Sequence, residues 1–513
     1  MKQDNRRWWA LAALSFAVLA VGLDGTVLSV ALPTLATSLR ASESDLQWFS
    51  SGYLLVMAAA MLPAGLLGDR YGRKKVLLAS LSLFGAGSVL CAYSTSPAAF
   101  IAARMLLGLA GAGIIVMVLA AFTVLFTEEE RPRAVGIWSG ANFLALPIGP
   151  ILGGWLLSHY WWGWVFLVNV PVALIGLAVA AALVPESRAA HRPGVDTVGI
   201  AASAAGLVSL TYGLIQAGQH GWSSGGVVLP IVAGVAVLAG FFQYERWLSH
   251  HPGGDPLIDL NLFSSPSYTW GVILVAVSVL AMIGVLFTMP QYFQGVLGTN
   301  AMGSGLRLLP LIGGLMVGAV PADRVVRLIG AKLAAVSGFV LLATGLITGA
   351  STGVNSATWF AAIWMAIVGA GMGLALATTA SAALAELTEE QGGVGSAVLQ
   401  AVNKTGGPFG AAILGSVLLT AYRSSVDLSG LPAPAAVAVR SGVFGGVAVA
   451  RQIGSAALLS SVRTSFVHGM DLALVVSAAI AVAGLILAAI FLPRQTARKP
   501  TVPVQEAGTV HDT

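Results

Sequence analysis

Fourteen stretches of about twenty mostly apolar residues run along this chain, each bounded by charged or Pro/Gly-rich breaks, and twenty residues of helix is the length that crosses a ~30 Å hydrocarbon core. They fall near 10–39, 46–67, 76–93, 98–124, 134–157, 162–184 and 195–217, then 227–247, 269–289, 303–320, 331–350, 358–384, 394–421 and 471–492. Backbone N–H and C=O groups cannot be left unpaired in hydrocarbon, so each run is predicted to be a helix and the chain an all-α integral membrane protein. Of 513 residues 57% are hydrophobic and 9% charged, whereas a soluble domain carries about 25% charge, which excludes an ordinary soluble enzyme. One cysteine, Cys91, excludes a disulfide framework, and no Cys/His spacing offers a metal site. A net charge of +5 is small for this length and implies no nucleic-acid partner. The basic start before Trp8 has the look of a secretory signal, but Asp24 interrupts the apolar run and thirteen more runs follow, so it is read as a retained helix.

The 26 Lys and Arg residues report orientation. With the amino terminus inside, the inner segments hold eighteen of them, from Lys2, Arg6 and Arg7 through Arg70, Arg73, Lys74 and Lys75 to Arg494, Arg498 and Lys499. The outer segments hold Arg40, Arg423, Arg440, Arg451 and Arg463, while Arg104, Arg307 and Lys404 lie within spans. An even count is required for both basic ends to lie in the cytoplasm, and fourteen fits.

Breaks at 185–194 and 249–267 divide the runs into six, two and six. We therefore expect a six-helix bundle over 1–186, two linker helices with a cytoplasmic loop over 187–268, a second six-helix bundle over 269–493, and a cytoplasmic tail over 494–513. The outer segment 422–469 is expected to be a long loop forming a hairpin or lid. Transporters are often built from two related bundles, and one pair of loops agrees: Gly72-Arg73-Lys74 after the second run and Gly330-Ala331-Lys332 after the tenth. In that register Arg327 stands where the first copy has Asp69.

Ionisable residues inside spans are costly and are functional candidates by default. Asp24 lies about 21 Å from the inner end of its run, and Arg104, on a helix running the other way, about 9 Å below the outer end, at 1.5 Å per residue. In a ~30 Å core these depths coincide, so the two can pair and share the cost of desolvation. Burial favours the neutral acid and a guanidinium favours the carboxylate; that opposition leaves Asp24 able to exchange a proton, although a static pair fixing helix register satisfies the same spacing. Arg307, near a span end, is expected to snorkel. Gln400, Asn403 and Lys404 form a polar stripe that suits either a cavity wall or interhelical hydrogen bonds. Tyr53, Trp138 and Asn142 are further cavity candidates.

Two glycine-rich elements complete the inventory. Gly65-Leu66-Leu67-Gly68-Asp69-Arg70-Tyr71-Gly72-Arg73-Lys74 packs a helix exit, a turn and a charge cluster into ten residues, and Asp69 there suits a latch, capping a neighbouring helix or pairing with a base. Gly149-Pro150-Ile151-Leu152-Gly153-Gly154 combines a lost helix hydrogen bond with small residues that permit close approach and bending. With these in hand, the chain resembles the major facilitator superfamily, and within it the fourteen-helix drug/proton antiporters. The ten-residue loop is similar to the superfamily's signature between helices two and three. The stretch from Asp24-Gly25-Thr26 to Pro33 looks like the first-helix motif, Arg104 with Gly108, Gly111 and Gly113 like the fourth-helix motif, and Gly149 to Gly154 like the fifth-helix antiporter motif. Trp162, Trp164, Phe166, Asn169 and Pro171 resemble the sixth helix. The chain departs from those patterns at Ser29, Leu107, Ala145, Gly163 and Asn403-Lys404.

The resemblance implies a rocking, alternating-access antiporter in the plasma membrane, acting as a monomer, in which the first-helix acid couples proton entry to drug exit. It also implies gating by Gly65, Asp69, Arg70, Gly72, Arg73, Lys74 and the Gly149, Pro150, Gly153, Gly154 element. No G-x-x-x-x-G-K-[ST] element is present, so a proton gradient rather than ATP is the expected energy source, with no cofactor and no enzymatic step. The expected substrates are hydrophobic or cationic drugs and antibiotics. Export of one endogenous metabolite or lipid is the alternative, and a non-transporting receptor or scaffold a third, which would need neither a latch nor an intramembrane acid.

Overall fold

Helix boundaries follow local rules that the sequence already carries. Ser42 accepts a hydrogen bond from the Asp45 N–H (3.3 Å) while Asp45 accepts from the Ser42 N–H (2.8 Å), a reciprocal cap that starts one helix. Ser96, Ser265 and Asn300 cap others one way, each side-chain oxygen accepting from the N–H three residues on, and the first two are followed by proline at the first helical position. The computed structural model describes residues 3–127, 130, 134, 145, 148–188, 196–251, 256–258, 260–385, 387 and 389–493.

Among them the long helices are α1 (Gln3–Ser38), α2 (Glu43–Tyr71), α3 (Arg73–Ala92), α4 (Pro97–Leu125), α5 (described over 148–159), α6 (Trp164–Leu183) and α7 (Thr197–His220). They continue as α8 (Gly225–Ser249), α9 (Pro266–Val296), α10 (Ala301–Ala319), α11 (Ala331–Gly349), α12 (Thr358–Leu384), α13 (Glu389–Ser425) and α14 (Ala456–Phe491). Thirteen of these are long and apolar enough to cross a membrane, and α5, much of which lies outside the described residues, accounts for the remaining run. The architecture is all-helical, in agreement with the expected fourteen crossings; no strand occurs among the described residues.

Two apolar cores organise the packing. One joins residues of α1 to α6, among them Val18, Phe49, Phe84, Phe100, Leu107 and Phe166, and the other joins α9 to α14, among them Val285, Phe339, Trp364, Leu414 and Phe466. Each core takes one residue from the opposite set: Phe287 joins the first and Val30 the second. The α7–α8 pair packs closely on itself through Gly206, Gly213 and Gly234 and rests against α2 and α13, where the Ser416 hydroxyl donates to Leu214 O (2.6 Å). Exposed Leu229, Val232, Val235 and Trp247 on α8 suit contact with lipid.

The two loops matched by sequence also match in backbone. Gly72 links α2 to α3 at φ +116°, and Gly330 links a short helix, Ala322–Ile329, to α11 at φ +83°. Both are conformations that favour glycine. A side chain at Gly72 would also meet the Glu186 carboxylate at 2.6 Å. Gly72→Ala is therefore expected to destabilise the protein by about 1–3 kcal/mol, seen as a lower melting temperature in detergent; an unchanged melting curve would contradict this account.

The connection expected over 422–469 is shorter and more ordered than the sequence suggested. Helix α13 continues to Ser425 and α14 begins at Ala456, where Ser455 caps the Leu458 N–H (3.2 Å), rather than near Asp471. Arg463, His468 and Asp471 break the apolar run, and helix α14 continues through them because a helix need not be apolar where it leaves the bilayer. Between them lie two short helices, Ala433–Arg440 and Val443–Gln452. The second packs on α14 and the first on the second, and the segment reaches the other half: Phe444 touches both cores, and the Glu43 N–H donates to Ser441 O (2.9 Å). The segment thus forms a lid over one end of the helix assembly, here termed the Glu43 end; the opposite end carries Asp69.

Candidate functional site

Asp24 and Arg104 meet, as their depths along α1 and α4 predict. Arg104 Nη1 donates to Asp24 Oδ2, and both side chains are wholly shielded from solvent. The rest of the guanidinium is held by α2: Nε donates to Phe49 O (3.2 Å) and the plane lies over the Tyr53 ring, 4.2 Å from its centre. Tyr53 is fixed in turn by its hydroxyl, which donates to Val21 O (3.0 Å). Close approach is possible because Gly108 packs against the Tyr53 carbonyl and Gly111 against Met57 and Val21. Further hydrogen bonds offset the desolvation of such a pair, and here Nε has one in Phe49 O while Nη2 has none among the described residues.

Asn169 on α6 supplies a partner that the sequence reading did not assign. Its Nδ2 donates to Asp24 Oδ1 (3.3 Å), so both carboxylate oxygens are engaged. The only sequence signal was an amide inside an apolar helix, noted as part of a motif and not as a contact. Asn169→Ala removes one hydrogen bond to a charged acceptor, and a loss of about 1.5–3 kcal/mol in stability is expected, checked by thermal unfolding in detergent. Unfolding at the native temperature would show that Asn169 does not hold Asp24.

Arg104 of the pair borders a cavity of about 80 Å³, lined by α1, α2, α4 and α5 on one side and α9, α10 and α13 on the other. Tyr53 lines it, as expected. Trp138 and Asn142 lie outside the described residues. Gly407 and Ala411 form the α13 wall; Gln400 and Lys404 stand on the same helical face toward the Asp69 end, and Asn403 beside them, all three half-buried. Arg307 does not reach away from its helix; its Nη1 donates to Gly303 O (3.0 Å).

The Gly149–Gly154 element has a definite role in packing. A Cβ on Gly149 would collide with Thr26 of α1, and one on Gly153 would meet Val27 at 2.8 Å, while the Thr26 hydroxyl donates to Ala145 O (3.1 Å). On the other side Gly154 lies against Met302 of α10, 2.8 Å from an added Cβ, and Gly305 of α10 lies against the Pro150 carbonyl. Helix α5 is thus wedged between the two halves at the Glu43 end. Further contacts cross there: Ser51 to Pro408 O (3.3 Å), Gln294 to Val30 O (3.1 Å), and Gln291 Nε2 to Glu43 Oε1 (3.0 Å). Glu43 and Gln291 are both buried, a contact absent from the sequence reading because an acid in the first turn of a helix ordinarily faces water.

At the other end Asp69 pairs with Arg73, four residues on (3.0 Å). The loop is tied to the exit of α6: the Arg73 N–H donates to Ser187 O (2.8 Å), the Lys74 N–H to Glu186 (3.1 Å), and Lys74 Nζ to Ala181 O (2.6 Å). Arg70 lies over the Tyr71 ring at 5.8 Å. Gly65 and Gly68 face Val116 and Met117 of α4. Of the expected latch partners, Asp69 takes a base, and the base belongs to its own loop.

The Major Facilitator Superfamily pattern matches residues 14–411, from the first helix to the thirteenth. The chain belongs to that superfamily. It is 31% identical over 492 residues to the tetracenomycin C resistance and export protein of Streptomyces glaucescens, covering 93% of this chain and 90% of that one. It is 34% identical over 432 residues to the probable actinorhodin transporter of Streptomyces coelicolor, covering 83% and 74%, and 30% identical over 487 residues to the multidrug efflux pump LfrA of Mycolicibacterium smegmatis, covering 94% and 95%. In fold it is similar to a bacterial homologue of the human lysosomal transporter Spinster, solved inward-facing and unoccupied, with a TM-score of 0.68, 18% identity, and coverage of 96% and 99%. The protein is therefore a multi-pass membrane protein of the transporter superfamily, related to antibiotic and multidrug exporters.

Proposed function

We propose that the chain is a proton-coupled exporter of small, mainly apolar drugs or antibiotics, working by alternating access with Asp24 as the proton carrier. One observation carries this reading: a fully buried acid–base pair borders a cavity between two helix sets, and those sets are joined at the Glu43 end by glycine-mediated contacts. The distribution of Lys and Arg supports a cytoplasmic position for both termini and for the Asp69 end, with the plasma membrane as the site of action. On that orientation the lid over 426–455 covers the outer end. The bundles over 1–186 and 269–493 then rock about the cavity, with α7 and α8 alongside.

In the cycle, substrate enters from the cytoplasmic side while Asp24 is charged and paired with Arg104. Opening at the Glu43 end separates α5 from α10 and Gln291 from Glu43, and admits water to Asp24. Protonation from outside weakens its hold on Arg104, changes the packing of α1 against α4, and releases the substrate. The two relatives named for single antibiotics favour a second reading, export of one metabolite with the same chemistry. Purified protein in liposomes with an internal pH dye and an imposed proton gradient tests both. Neutral antibiotics, lipophilic cations and lipids are added in turn. Proton movement on addition of a compound supports antiport, its breadth separates the two readings, and silence with every compound overturns them.

A further inference from the structure

The walls of the central cavity define which substrates it accepts. Among the described residues no carboxylate faces it: Thr26, Ser29 and Ser50 supply hydroxyls, Phe287 and its neighbours supply apolar surface, and Arg104 supplies the charge. Away from helix ends, Asp24 is the only Asp or Glu in the sequence of the helices that line it, the 134–157 run included, and both its oxygens are taken by Arg104 and Asn169. Arg104 Nη2, by contrast, has no hydrogen-bond partner among the described residues, although Arg104 is fully buried. A buried donor without an acceptor is costly, and an acceptor on the substrate relieves it. Lys404, on the face that includes Gly407 and Ala411, adds a second base on the same side of α13.

From this arrangement we infer that the cavity selects neutral, mainly apolar ring compounds bearing a carbonyl acceptor, which takes the free N–H of Arg104, and rejects permanent cations. This rests on the transport reading above and narrows its substrate class. A permanent cation would lose its water, find no free carboxylate, and lie beside a guanidinium. A neutral carbonyl compound loses little on entry and satisfies the donor. The cavity in this arrangement, about 80 Å³, is smaller than a tricyclic compound, so the substrate is admitted as the two helix sets part.

Three tricyclic probes of nearly equal size test the inference by direct binding to purified protein in nanodiscs: N-methylacridone (neutral, one carbonyl), N-methylacridinium (permanent cation) and anthracene (neutral, no acceptor). N-methylacridone is expected to bind at least about tenfold more tightly than either of the others, a margin of 1.4 kcal/mol per tenfold. Leu286 lines the wall on α9, a different helix from those that carry the ion pair, so Leu286→Glu supplies the missing carboxylate, with Leu286→Gln as its neutral control. Leu286→Glu is expected to raise N-methylacridinium affinity at least about tenfold over Leu286→Gln. Equal or tighter binding of N-methylacridinium to the native protein overturns the inference, as does failure of all three to bind. No gain in Leu286→Glu, with a melting temperature matching its control, also overturns it. Cations that drive proton movement in liposomes would sink this substrate class and leave the antiport reading intact; carbonyl binding without proton movement would do the reverse.

Discussion

Asp24→Asn is expected to abolish substrate-dependent proton movement in liposomes and to lower the melting temperature as well. The second effect follows from the pair itself. Asn keeps the shape of the side chain but not its charge, so Arg104 is left as an uncompensated cation between Phe49 and Tyr53, and breaking such a buried pair costs about 3–5 kcal/mol. That is a large part of the stability of a typical protein, so loss of transport in the single variant has two possible origins. Asp24→Asn combined with Arg104→Gln separates them. The double variant has no unpaired charge and is expected to regain most of the melting temperature while remaining unable to couple proton flow to transport. Proton-driven export in the stable double variant would show that Asp24 and Arg104 serve only to fix the register of α1 and α4.

Gly305→Ala is expected to shift the protein away from the arrangement closed at the Glu43 end. The added methyl group would fall on the Pro150 carbonyl, a backbone atom that no side-chain rotation can move. Overpacking of this kind costs about 1–3 kcal/mol, and only the arrangement in which α5 and α10 touch bears the cost. At 1.4 kcal/mol per tenfold, the open-to-closed ratio rises about 5-fold to about 140-fold. Spin labels at exposed His159 and Ser351, on opposite halves near this end, report it as a longer distance population, and buried Cys91 does not compete for label. Transport slows because closure becomes the unfavourable step. An unchanged distance distribution would mean that the α5–α10 contact does not set the equilibrium between states.

The site was legible in the sequence to the extent that depth alone could describe it. Asp24 and Arg104 could be matched because each residue advances a helix by 1.5 Å and both helices start at known faces of the bilayer. Gly72 and Gly330 could be paired because each follows the second long helix of its half, and both prove to have positive φ. Glu43 could not be found in this way. It is buried by Gln291, 248 residues away, and by Ser441 and Gly442 of the lid. The start of α14 was misplaced for a related reason: apolar runs report where hydrocarbon begins, whereas the Ser455 cap reports where the helix begins, and these differ by fifteen residues.

The sequence by itself determined the solvent, the helical class, the count of apolar runs and the matching depths of Asp24 and Arg104. A bilayer makes these local properties: every span must satisfy its own backbone hydrogen bonds and contain enough apolar residues to cross. Only the tertiary structure decided which oxygen of Asp24 each donor takes, that Gly149 and Gly153 face α1 while Gly154 faces α10, and that among the described residues the cavity shows Arg104 and no free acid. Depth is one coordinate. The rotation of each helix about its axis and the identity of its neighbours come from side-chain packing between segments far apart in the chain, which no local pattern encodes.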